Sequence, residues 1–138
     1  MNPIPAALAG VAFVVLMSFV HEPTRRQFNA ILVAGAGSAY LSGGFGAWEF
    51  AYIGVATFAA YKGLQSYRYI ALAWWLHTAW DISHHLYGMP IWHGQPQSSL
   101  GCAVLDGILG IWFFFEAPSI PQVLRDRFAE QSVRRGPL

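Results

Sequence analysis

Nine residues carry three of the chain's five histidines and one aspartate: His77-Thr78-Ala79-Trp80-Asp81-Ile82-Ser83-His84-His85. On a helix, at about 100° per residue, Asp81 lies roughly 40° from His77, with His84 roughly 20° to the other side. His77, Asp81 and His84 therefore share one narrow face over two turns, while His85 points about 100° away from His84. Glu49 and Asp106 can join them from neighbouring segments. Imidazoles with carboxylates form a donor set that suits iron, manganese or zinc better than a thiolate-loving metal. An aspartate four residues from a histidine is also the geometry of a carboxylate that orients an imidazole. The expected metal ligands are His77, Asp81, His84, His85, Asp106 and Glu49. Without a metal, the same groups would handle protons or substrate, or form a buried network that joins helices.

Other motifs fail. His77 with His84-His85 superficially matches a histidine box of membrane desaturases, but those families need several boxes and this chain has one cluster. A zincin needs Glu beside its first His and a second His four residues on; Thr78 and Asp81 occupy those places. No Gly-x-Ser-x-Gly elbow is present. Gly43-Gly44-Phe45-Gly46 is no phosphate loop, because no strand precedes it and no Lys-Ser/Thr follows. His77 has no histidine partner at its own depth for haem.

The surrounding composition is apolar. The 138 residues are 55% hydrophobic, 16% aromatic and 11% charged, with mean hydropathy +0.39. Soluble domains carry about 25% charged residues, so this composition predicts a membrane protein. The net charge of +1 gives no case for a nucleic-acid partner, and none is expected. One cysteine, Cys102, excludes an intrachain disulfide. No cleavable signal peptide is expected, because Met1 to Gly10 has no basic residue.

Five apolar segments can be drawn, at 3–20, 27–43, 46–62, 68–88 and 99–117, each near the ~20 residues that cross a bilayer. The expected fold is all-α: a polytopic membrane bundle of five transmembrane helices over 1–117, followed by a polar tail at 118–138. Within that tail, Ile120 to Phe128 could form a short amphipathic helix on the cytoplasmic leaflet. Arg25, Arg26, Lys62, Arg68, Arg125, Arg127, Arg134 and Arg135 all fall on one side of this drawing. The positive-inside rule then places the N-terminus outside and the C-terminus in the cytoplasm, for a multi-pass protein of the cell inner membrane. Ala30, Ala34, Ser38 and Ser42, beside Gly35, Ala39 and Gly43, predict a close-packing second helix. Ala103, Asp106, Gly107 and Gly110 repeat that pattern and turn Asp106 toward a neighbouring helix.

In this topology Glu49 lies about 6 Å and Asp106 roughly 10 Å below the outer surface. Glu49, Asp81, His84, His85 and Asp106 then share the outer half of the bundle, above His77. His93 is expected in a loop and Cys102 in packing. His21, Glu22, Lys62 and Glu116 lie at the inner end and are expected to anchor it by pairing with each other or with Arg25 and Arg26.

The sequence resembles a family of uncharacterised small bacterial integral membrane proteins. The matching stretches are His21-Glu22-Pro23-Thr24-Arg25-Arg26-Gln27-Phe28-Asn29, Gly43-Gly44-Phe45-Gly46-Ala47-Trp48-Glu49, Leu76-His77-Thr78-Ala79-Trp80-Asp81 with His84-His85-Leu86-Tyr87-Gly88, and the region of Cys102 and Asp106. The resemblance implies a bacterial inner-membrane protein and carries no activity.

Three functions fit this reading. A metal-dependent membrane enzyme would use iron, manganese or zinc to act on a lipid-soluble substrate. A transporter or metal-handling subunit would use the same residues as a station on a path. A structural or accessory subunit would use them to join helices. The bilayer is the expected partner in each, with a homo-oligomer or a larger membrane complex. Ile70 to Trp75 and Ile111 to Phe115 leave the space below His77 apolar, which favours a closed site over a through-path.

Overall fold

A computed structural model describes residues 3–42, 44–92 and 94–135. His93 and Gly43, named above, lie outside the described residues. The chain is helical: α1 Ile4–Met17, α2 Thr24–Ala36, α3 Trp48–Gly63, α4 Tyr67–Tyr87, α5 Ser98–Phe114 and α6 Ile120–Arg135. A 3₁₀ segment, Gly37–Ser42, continues α2.

The expected membrane crossings are overturned: among the described residues, no helix is long and apolar enough to cross a membrane. At 1.5 Å per residue the 14 residues of α1 and the 17 of α5 span about 21 and 26 Å, short of ~30 Å of hydrocarbon. The second apolar segment loses its length where α2 gives way to the 3₁₀ turn at Gly37. Helix α4 is longer, at 21 residues, but carries Arg68, His77, Asp81, His84 and His85. With the crossings go the five-span bundle, the outside and cytoplasmic ends and the multi-pass inner-membrane location. The tail forms α6 itself, with Pro121 half-buried and the side chains of residues 122–131 exposed.

Helices α4 and α5 make the most extensive contact in the fold, and α1 lies against α5 while α3 packs on α4. Small residues set these distances. A Cβ on Gly110 would stand 2.3 Å from the Trp75 indole, and one on Gly63 would stand 2.6 Å from Ile70 Cγ1. The apolar core gathers Val33, Ile70, Trp74, Leu109 and Phe113 between α2, α4 and α5. Many large apolar side chains stay outside, Trp48, Phe50, Phe58 and Ile31 among them. Apolar surface of that extent is characteristic of faces that meet a partner. The interior, by contrast, holds a set of polar groups.

Candidate functional site

The polar interior is built from one face of α4. His77, Asp81 and His84 are 1%, 0% and 1% exposed, as their shared helical face requires. His85 is turned outward and exposed, so it leaves the expected ligand set.

Two groups of partners meet this face. In the first, Tyr40 Oη donates to Asp81 Oδ1 at 2.7 Å and lies 3.1 Å from His77 Nδ1. A hydroxyl that donates to a carboxylate has only lone pairs left to offer, so His77 Nδ1 carries the hydrogen and donates to Tyr40. The other ring nitrogen, His77 Nε2, is buried and makes no hydrogen bond of good geometry among the described residues. Asp106, which α5 presents at 6% exposure, lies close enough to Asp81 for each carboxyl to shift the other's proton affinity, and Asp81 Oδ2 has no hydrogen-bond partner among the described residues. Two buried carboxyls this close resist ionising together, so the pair favours keeping a proton. The result is one chain from His77 through Tyr40 and Asp81 to Asp106.

Burial sets the proton affinities along this chain. It pushes the His77 imidazole down to about 4, against a smaller upward pull from the backbone at Val33. Burial also raises both Asp81 and Asp106, and for Asp106 the neighbouring Asp81 charge raises it further. The carboxyl pair therefore holds a proton where ordinary aspartates have lost theirs. Burial first, then the charge of Asp81, raises the Tyr40 hydroxyl far above its usual range, so it stays protonated.

In the second group, His84 Nδ1 faces the Met89 carbonyl at 3.0 Å and must donate to it. His84 Nε2 lies 3.0 Å from Glu49 Oε1, both side chains being almost wholly enclosed. Glu49 also accepts the Phe45 amide at 3.1 Å and the Trp80 indole N–H at 2.8 Å. The Phe45 contact lets the first turn of α3 hold the loop before it, as a capping glutamate does. The loop can reach His84 only through glycine: a Cβ on Gly44 would stand 2.6 Å from His84 Cε1. Tyr40 separates the two groups, its ring centroid 5.4 Å from that of His77 and 5.6 Å from that of His84.

The expected metal-binding site is not formed. Among the described residues, no group of three or more His, Cys, Asp and Glu could hold a metal ion. The reason is pairing: Glu49 takes His84, Asp81 takes Tyr40 beside Asp106, and His85 faces away.

The model of a family of unknown function, DUF6010, matches residues 1–119. The chain belongs to this family. The family assigns no activity to the His77–Asp106 chain or to the Glu49–His84 pair. No curated protein and no solved structure matches the chain.

Two features escaped the sequence. Tyr40 sits within a run of small residues that reads as a packing surface, and its place between two histidines depends on the 3₁₀ turn. Cys102 stands one turn before Asp106 on α5, and burial, then the charges of Asp81 and Asp106, push its thiol up to about 12. Cys102 and Leu105 also line a largely apolar cavity of about 450 Å³ between α1 and α5, with Trp92 and Gln95 among its other walls.

Proposed function

We propose that the buried chain is an acid–base centre that moves a proton between His77 and the Asp81–Asp106 pair. The observation that carries this reading is the placing of two buried carboxyls, Asp81 and Asp106, at the end of a chain in which Tyr40 bonds Asp81 and whose other end is the buried His77 imidazole. His77 Nε2 takes up a proton, Nδ1 passes one to Tyr40, and Tyr40 passes its own to Asp81. The low affinity of His77 makes it a conduit, and the high affinity of the pair makes it the store. Opposed affinities in one site are the arrangement of acid–base catalysts. The adjoining cavity fits an uncharged, largely apolar molecule as the proton acceptor.

Infrared spectroscopy at pH 7 tests this. The wild type should show the carbonyl stretch of a protonated carboxylic acid, and Asp106→Asn should lack it. In deuterated buffer that band should shift at least tenfold more slowly in Tyr40→Phe and His77→Gln than in the wild type. Absence of the band in folded wild type would overturn the reading. Equal exchange rates in all three proteins would reduce the chain to a network that joins the 3₁₀ segment, α4 and α5.

A further inference from the structure

A second polar cluster surrounds Arg25, at the start of α4, and the acid–base centre does not use it. Tyr67 bonds Arg25, and Asp81 lies 14 residues further along α4, about 21 Å away along the axis. Arg25 is 7% exposed. Its Nε donates to Glu22 Oε1 and to Tyr67 Oη, each at 3.0 Å, and its Nη2 donates to Glu22 Oε1 at 2.9 Å. Tyr67 also donates to Glu22. The guanidinium has five N–H groups, and those of Nη1 take part in none of these bonds.

This cluster forms one wall of a cavity of about 390 Å³. His21, Glu22 and Arg25 come from the α1–α2 connection and the first turn of α2, while Ser119, Gln122 and Arg125 come from the start of α6. Arg125 is exposed and forms no ion pair among the described residues. Two guanidiniums against one carboxylate leave the walls with an excess positive charge before His21 is counted. The first turn of α6 adds its positive dipole end from the same side.

We propose that this cavity binds the phosphate group of a small phosphate monoester. Guanidiniums on two walls and a helix N-terminus are the groups that recognise phosphate. Glu22 already engages Arg25, so an arriving carboxylate would only equal it, whereas a phosphate dianion outmatches it. The cavity is also larger than a bare phosphate needs, which leaves room for the organic part.

Isothermal titration calorimetry on the full chain, with inorganic phosphate and with glycerol 3-phosphate, tests this. Both should bind, the ester more tightly. Arg125→Ala should weaken binding about tenfold, and Glu22→Gln should tighten it several-fold by removing the competing carboxylate. Arg127→Ala, on the same helix but outside the cavity lining, should bind like the wild type. No binding heat in the wild type would overturn the proposal. So would equal losses in Arg125→Ala and Arg127→Ala, which would mark diffuse attraction to a basic helix.

Discussion

Asp81 and Asp106 are buried together at the α4–α5 contact, near enough for each to shift the other's proton affinity, and neither forms an ion pair with Lys or Arg among the described residues. Their proton affinities are raised on folding, so above the ordinary carboxylate range the folded chain holds protons that the unfolded chain has released. That stabilisation is complete below about pH 4 and is lost as pH rises through the raised range. Asp106→Asn can still donate to Asp81 and removes the like charge. Its thermal midpoint at pH 9 should exceed that of the wild type by roughly 3–5 °C, equivalent to ~1 kcal/mol or more. At pH 5 the difference should shrink or reverse. A parallel pH dependence in both proteins would argue against the shared proton.

His77 acts in the opposite sense. Its imidazole titrates near 6.5 when unfolded and at about 4 when folded. The stability it contributes is present above pH 6.5 and is lost as pH falls toward 4, about 3 kcal/mol in all. Denaturant titrations of His77→Gln should therefore show less destabilisation between pH 7 and pH 4 than the wild type. With His77 gone, the remaining pH dependence should be the one set by the carboxyl pair.

The face that carries His77, Asp81 and His84 was legible in the sequence, because helical periodicity alone puts them together and turns His85 away. Asp106 was legible too, through the small residues beside it. Glu49 was expected near these groups, but its pairing with His84 depends on the loop at Gly44–Gly46, which periodicity does not describe. The metal expectation failed at this step: residue types give a donor set, whereas ligation depends on which donors already hold one another. Tyr40 shows the same limit, since α2 stops at Ala36 and the 3₁₀ turn re-aims every later side chain.

The membrane expectation failed for a different reason. Composition averages over the chain, while crossing a bilayer depends on the length and continuity of single helices. Here the apolar residues are spread over short helices, and Trp48, Phe50 and Phe58 lie on their outer faces while Asp81, His84 and Glu49 lie within.

Tyr40→Phe tests the link between the two polar groups. The ring would still pack against His77 and His84, so only the hydroxyl is lost. Asp81 Oδ1 would lose its donor and His77 Nδ1 its acceptor, both in buried surroundings. Unpaired buried groups cost about 1–3 kcal/mol each, so unfolding experiments should show a loss of at least ~2 kcal/mol. A loss under 0.5 kcal/mol would mean that Tyr40 contributes through its ring alone.

Gly44→Ala tests the clasp on His84. The added Cβ would stand 2.6 Å from His84 Cε1 and 2.9 Å from Nδ1. His84 is 1% exposed, so the ring has little room to retreat. The loop or the ring must shift, and shifting the ring breaks its hydrogen bond to Met89 and its close approach to Glu49. Forced overpacking costs about 1–3 kcal/mol. Gly54→Ala is the matched control: it lies inside α3 with nothing within 4 Å of the new carbon. There alanine should stabilise by about 0.5–1 kcal/mol through helix propensity. Thermal melts of the two variants should therefore move in opposite directions, and the His84 ring resonances should shift in Gly44→Ala alone. If Gly44→Ala melts like the wild type with unchanged His84 resonances, the loop does not hold that ring in place.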